Sequence, residues 1–132
     1  MAERTNEQLV RETWDAVGNH DIDTFLANLA DDVTWTFFGS HKFAGTFNGK
    51  EDLLTRLLEP INGVIENGIR LDIRELHCDG PVVIVEAKGE ARSTSGLEYN
   101  NDYCLVITCN NDKIQHVREY LDSELVTEVF GK

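Results

Sequence analysis

The sequence predicts an α+β domain, a strongly curved, mainly antiparallel sheet packed against three N-terminal helices, and three observations predict it. Apolar residues recur at helical spacing only in the first part of the chain. The later part alternates with a period of two, and Asp79-Gly80-Pro81, Ser95-Gly96 and Asn110-Asn111-Asp112 divide it into long runs joined by short turns. Helices that precede consecutive hairpins, rather than alternating with strands, gather on one face of an antiparallel sheet. At 132 residues the chain has the size of a single domain, 1–132, that buries a core without disulfide or metal staples.

Within residues 6–18, Leu9, Val10, Thr13, Trp14 and Val17 share one helical face, and Glu7, Arg11, Glu12 and Asp15 share the other. Gly18-Asn19 ends this helix, Asp21 caps the next, and Ile22, Phe25, Leu26 and Leu29 form its apolar face. From Val33 the period becomes two: Val33, Trp35 and Phe37 alternate with Thr34 and Thr36, as in a half-buried strand. Phe38 to Asn48 reads as a glycine-rich loop. A third helix starts near Lys50, turns Leu53, Leu54, Leu57 and Leu58 inward, and ends or kinks at Pro60. Strands are expected over roughly 69–77, 82–94, 98–109 and 113–122.

Composition narrows the partners. Twenty-four acidic against twelve basic side chains give a formal charge of -12, and the Lys and Arg are scattered, so no basic stripe can follow a phosphate backbone; no nucleic acid partner is expected. Cys78, Cys104 and Cys109 lie in or beside apolar runs and read as reduced core or edge residues. The N-terminal stretch lacks the apolar segment of a signal peptide, and no run approaches the ~18 apolar residues that span a bilayer, so a cytoplasmic protein with no membrane partner is expected. His20, His41, His77 and His116 are dispersed, without H-x-x-x-H or His/Cys clustering, so no metal site and no cofactor is expected. Nothing places a Ser or Cys nucleophile beside His and a carboxylate.

Gly18-Asn19-His20-Asp21 before the second helix, Leu29-Ala30-Asp31-Asp32-Val33-Thr34-Trp35 into the first strand, Gly45-Thr46-Phe47-Asn48-Gly49-Lys50-Glu51 into the third helix and Arg118-Glu119-Tyr120-Leu121-Asp122 in the last strand resemble, together with the element order, the nuclear transport factor 2-like fold. Over nearly its whole length the chain is similar to the SnoaL-like branch, and through it to ketosteroid isomerase, limonene epoxide hydrolase and polyketide cyclases. This resemblance implies a cone-like, cystatin-like barrel with a pocket between the helices and the concave sheet face. It implies a small-molecule enzyme using acid/base chemistry (isomerisation, cyclisation or hydrolysis) on a small, largely apolar carbonyl-type compound. The same fold also carries non-catalytic binding and association modules, which is the alternative. Aligned on Gly80 and Tyr99-Asn100, the catalytic arginine and first aspartate of the epoxide hydrolase fall on Glu86 and Lys88, and its second aspartate on Glu119. Its water-holding tyrosine and asparagine fall on Trp35 and Phe37, as does the general base of ketosteroid isomerase on Phe37, so neither reaction is expected in its original arrangement.

The candidate catalytic residues are therefore Glu119, Glu86 and Lys88. Glu119 shares a strand face with Val117 and Leu121; unpaired, it is pushed by desolvation towards neutral pH, whereas pairing with Lys88 keeps it ionised. For Glu86 and Lys88 the charge pattern alone puts them in solvent, while the resemblance puts them inside, with Ala87, Gly89 and Ala91 against a second subunit. Asn101 and Tyr103, on the face of Leu105 and Ile107, are candidates to orient substrate. Trp14, Val17, Trp35, Phe37 and Leu121 are candidate pocket walls, and a ligand pocket of this kind calls for about 300 Å³. A homodimer through the outer sheet face is expected, burying Val83, Val85, Ala87, Ile114 and Tyr120.

Overall fold

Thr5 starts the first helix with a reciprocal cap: its hydroxyl accepts from the Gln8 backbone N–H, and the Gln8 side chain accepts from the Thr5 N–H. The computed structural model describes residues 3–132; Met1 and Ala2, part of the stretch read for a leader, lie outside the described residues. Helix α1 (Asn6–Gly18) buries Leu9, Val10, Thr13, Trp14 and Ala16. At the corner the Asp21 N–H donates back to the Ala16 carbonyl, and the Asp21 side chain then caps α2 (Ile22–Ala27) through Thr24.

Strand β1 (Leu29–Phe37) begins before Val33, because Leu29 pairs with Ile114 and a register shift between Leu29 and Thr34 interrupts the alternation that marks the strand. Within the stretch expected as loop lies β2 (Gly45–Asn48), paired antiparallel with β1 and burying Phe47. The third helix is α3 (Gly49–Leu53), which passes through one π-type turn (Leu54–Leu58) into α4 (Glu59–Asn62). Pro60 has no N–H to give, and its ring crowds the carbonyl four residues back. The turn before it widens, with the Glu59 N–H bonding the Leu54 carbonyl, and the helix runs on to Asn62.

The long strands are β3 (Ile65–Asp79), β4 (Val82–Ser93), β5 (Asp102–Asn110) and β6 (Lys113–Leu121), in the order β2-β1-β6-β5-β4-β3. All neighbours are antiparallel except β1 and β6, which are parallel. A shift in register between Glu66 and Arg70 bends β3 round the end of α1. Gly68 sits there at φ 75°, and a Cβ on it would stand 2.8 Å from the Val17 carbonyl, so only glycine serves. After β6 comes α5 (Ser123–Phe130), which has no counterpart in the sequence-based expectation. Asp122 caps it by accepting from the Glu124 and Leu125 N–H groups, and Val126 is buried against the core. Among the described residues no helix is long and apolar enough to cross a membrane.

The facing of β4 corrects the inward placement of Glu86 and Lys88. Val83, Val85, Ala87 and Gly89 point to the helices, while Ile84, Glu86 and Lys88 lie on the outer face. The register explains it: Val83, Val85 and Ala87 pair with Ile107, Leu105 and Tyr103, all of which are buried. The small residues make room for an aromatic ring rather than a second subunit, since a Cβ on Gly89 would stand 2.7 Å from Cε2 of Tyr103. The same facing places Val83, Val85, Ala87 and Ile114 in the core, leaving Tyr120 as the one member of the expected dimer surface that is exposed.

Candidate functional site

The concave face of the sheet and the helices enclose a cavity of about 110 Å³. One water needs only ~10–15 Å³ of such space, so the cavity has room for a compact molecule, but it falls short of the ~300 Å³ typical of ligand pockets. Trp14, Trp35 and Phe37 line the cavity. The walls come from every layer: Trp14 and Val17 from α1, Phe25 from α2, Leu53 and Leu57 from the third helix, Leu105 and Leu121 from the strands. Edge-on and tilted aromatic contacts tighten them, with Trp35 5.7 Å from Trp14 and 5.9 Å from Phe25, centroid to centroid.

Helix α5 and the loop before β2 close one end. Phe130 packs edge-on against Phe43 at 5.2 Å and Tyr99 at 5.0 Å, and the Lys42 ammonium donates to the Phe130 carbonyl at 3.2 Å.

Into this apolar space β6 delivers Glu119, 7% exposed. The Trp35 indole N–H donates to its Oε1 at 3.0 Å, and among the described residues no lysine or arginine lines the cavity. Desolvation pushes the carboxyl up to about 7 from an ordinary 4.5, against the smaller opposing effect of the Trp35 bond. Glu119 therefore exchanges a proton near neutral pH, which suits a general acid or base. Lys88 does not reach it; its ammonium pairs with Asp102 at 3.1 Å on the outer face.

Of the residues singled out from sequence, Glu119, Trp14, Val17, Trp35, Phe37, Tyr103 and Leu121 meet at the cavity, whereas Glu86, Lys88 and Asn101 do not line it. Asn101 is fully buried, and protein groups engage both ends of its amide. Its Oδ1 accepts from the Asp102 and Asp122 N–H groups at 2.8 and 2.9 Å, and its Nδ2 donates to the Asp122 carbonyl and the Tyr99 hydroxyl, each at 3.2 Å. It braces the site from behind.

Among the polar residues that line the cavity, His20, His41, Asn62 and Tyr99 are not among the site residues expected from sequence, and two of them, Tyr99 and His41, are notable. Tyr99 precedes β5 in an irregular stretch where no alternation fixes a face; burial pushes its phenol up to about 12, chiefly by desolvation. Tyr103 is raised well above its ordinary value by the same cause. His41, the second, enters the sequence reading only through the absence of a metal-ligand pattern. Its Nδ1 accepts from the Phe43 N–H at 3.1 Å, which leaves the proton on a buried Nε2 without a hydrogen-bond partner. Burial, the larger cause, lowers its pKa. Among the described residues no group of three or more His, Cys, Asp or Glu is placed to hold a metal.

Comparison with known proteins agrees with this architecture. A nuclear transport factor 2-like protein of unknown function from Burkholderia pseudomallei K96243 superposes with a TM-score of 0.83 at 22% identity, covering 96% of this chain and 98% of that one. TerC, crystallised with polyporic acid, superposes with a TM-score of 0.81 at 22% identity, covering 96% and 98%. These likenesses show the fold. In sequence, the dimerizing cyclase phiC of a fungal species (strain ATCC 74256) is 27% identical over 129 residues, which covers 91% of this chain but only 57% of that protein. The chain thus spans little more than half the length of this curated relative. The SnoaL-like domain model matches residues 10–117, most of the chain, and the protein belongs to the SnoaL-like family.

Proposed function

We propose that the protein is a small-molecule enzyme in which Glu119 moves a proton on a compact, largely apolar carbonyl compound held in the cone. The observation that carries this is a lone carboxyl in an apolar cavity with its pKa near 7 and no cationic partner. Above that pKa the carboxylate takes a proton from the carbon beside a carbonyl. The C–H bond breaks as the O–H bond forms, the electron pair moves towards the carbonyl oxygen, and the acid so formed returns the proton at the same or a conjugated carbon. Isomerisation and ring closure both follow from such a step, and the likeness to a cyclase supports the second.

The test does not require the natural substrate. In heavy water, a panel of small apolar ketones, 2-indanone among them, is followed by NMR for exchange of the protons beside the carbonyl. The protein is expected to accelerate exchange, and Glu119→Gln to lose at least ~100-fold of the acceleration, the usual scale of a general base. No exchange above buffer for any ketone overturns the catalytic reading. The reading that then stands is a non-catalytic association module, since a cavity of about 110 Å³ is small for binding a ligand.

A homodimer through the outer sheet face belongs to the same proposal, now on different support. Phe38 and Tyr120, 40% and 43% exposed, stack at 4.5 Å on that face, near the half-buried Val106. Light scattering at twice the 14.9 kDa chain mass is expected, and a monomer at micromolar concentration rejects it. Three free thiols support a reducing compartment, the cytoplasm.

A further inference from the structure

The cone, at about 110 Å³, holds a compact group and falls short of a usual ligand. It also has a mouth. Among the residues that line it, His20 at the α1–α2 corner and Asn62 at the end of α4 are the exposed ones, so the space opens between them. Beside this mouth runs the bend in β3. Glu66 pairs with Arg92 and Arg70 with Glu90, so Asn67, Gly68 and Ile69 stand opposite Ala91 alone. Asn67 and Gly68 are both left-handed, at φ 63° and 75°, and the strand bows away from its partner. A second space lies at this bow, an open polar cleft of about 440 Å³, and Gly68 lines both it and the cone. Gly18, also in the cleft wall, leaves room for Arg70, since a Cβ there would stand 3.4 Å from Cα and 3.6 Å from Cγ of that residue.

The charges in this cleft are unusual for the chain. Arg4, Arg11, Arg56 and Arg74 each hold a carboxylate at 2.7 to 3.0 Å. Among the described residues Arg70 and Arg92, which line the cleft, hold none, although the register sets Glu90 beside Arg70, and Glu66 and Glu98 beside Arg92. A chain with a formal charge of -12 repels anions in general, so two unpaired guanidinium groups on one cleft mark where an anion is drawn in. Their planar forks match the paired oxygens of a carboxylate or phosphate.

We propose that this cleft is a second binding site, in which Arg70 and Arg92 hold the oxyanion tail, carboxylate or phosphate, of a substrate whose carbonyl head lies in the cone. The assignment rests on the reading of the cone as the seat of the carbonyl group. It extends the substrate to an apolar ketone that carries an acidic end on a linker passing Gly68. The orientation follows from charge: inside the cone an acidic end would meet Glu119, so that end stays outside. The three glutamates compete with the ligand for the two forks, so removing one strengthens binding.

The test compares 5-benzoylpentanoate with hexanophenone, which share an aryl ketone and a chain of equal length and differ only at its end, carboxylate against methyl. Trp14 and Trp35, the two tryptophans of the chain, both line the cone, so quenching of their fluorescence reads its occupation. An apolar cavity acting alone prefers hexanophenone. Wild-type protein is expected to bind the acid about 3- to 10-fold more tightly, within the range of two exposed charge pairs, and added salt should weaken the acid and not the ketone. The Nε–H signals of Arg70 and Arg92 should shift in NMR with the acid and not with hexanophenone. The double variant Arg70→Gln/Arg92→Gln should lose the preference, and Glu90→Gln should increase it. Arg118→Gln, which makes the same kind of charge change on the outer sheet face, should keep it. Hexanophenone bound by wild type as tightly as the acid overturns the cleft assignment and leaves the reading of the cone standing. A preference that survives the double variant, or that disappears equally in Arg118→Gln, does the same. If neither compound quenches the tryptophans, the cone holds no ketone, and both readings fall. The arginine signals are read on wild-type protein, so the decision does not depend on whether a variant folds.

Discussion

Replacing Glu119 by Gln should change how stability depends on pH. In the folded protein the carboxyl is pushed up to about 7, against an ordinary value of 4.5. Between those two values the folded state holds a proton that the unfolded chain has released, so stability falls as pH rises through this window. Below the window protonated Glu119 costs little; above it the full penalty of a buried carboxylate is present. At ~1.4 kcal/mol per pH unit the penalty is about 3 kcal/mol, and about 2 kcal/mol of it arises between pH ~5.5 and ~8. That interval also stays clear of the isoelectric point near 4.6. The amide introduced by Glu119→Gln keeps an acceptor for the Trp35 indole and carries no charge at any pH, so any fixed cost of that amide cancels when one protein is compared at two pH values. Urea unfolding at both pH values should show the wild type losing about 2 kcal/mol relative to the variant as pH rises. Every other carboxylate is common to the two proteins and drops out. Parallel stability curves, differing by less than about 0.5 kcal/mol over the interval, would refute the buried, unpaired state of Glu119 and with it the reasoning that makes this residue the proton carrier.

Trp35→Phe removes the N–H that favours the ionised form, so the Glu119 pKa should rise above about 7; the carboxyl carbon followed by NMR titration reads this, and an unmoved or lowered value contradicts the assigned bond. Gly89→Ala puts a Cβ 2.7 Å from the Tyr103 ring and 3.4 Å from the Asn101 carbonyl. A loss of about 1–3 kcal/mol in thermal or urea unfolding is expected, and an unchanged midpoint would mean that Tyr103 does not lie over Gly89. Asp122→Ala takes the cap from α5 and should cost about 1 kcal/mol, with faster amide exchange confined to 123–130 if that helix is an independent closing piece; uniform protection would show instead that it is fused to the core.

Helix α1 is legible in the sequence to the residue because apolar periodicity and its glycine end agree, and α2 is legible from its Asp21 cap, but its expected face runs too far: the helix stops at Ala27 and Leu29 opens β1 instead. The inward facing of Glu119 is legible for the same reason, since Val117 and Leu121 on either side fix the face of β6. What is not legible lies where the pattern carries no phase. In β2 the glycines that permit its turns mask a four-residue strand. In α5 the apolar residues Leu125, Val126, Val129 and Phe130 are helically spaced, but they follow directly on a strand, with no glycine or proline between to mark where one period gives way to the other.

The facing of β4 shows most directly why pattern and analogy can disagree. Glu86 and Lys88 alternate with Ala87 and Gly89, and hydrophobicity alone puts the charges in water. The alignment to a family with ionisable groups on this strand favours the reverse, and the error lies in reading small residues as a surface for another chain. A cone narrows, and where it narrows large rings and missing side chains must share one space. Gly89 is absent volume that Tyr103 occupies, so a strand facing the interior with alanine and glycine marks an aromatic neighbour on the next strand as readily as an interface. With Lys88 drawn outside to Asp102, no lysine or arginine among the described residues lines the cavity to hold Glu119 ionised, and only the Trp35 N–H favours the charged form. The outward facing of two expected catalytic residues is therefore what leaves the third without a cationic partner, and the proposed acid/base role rests on one carboxyl rather than on a charged cluster.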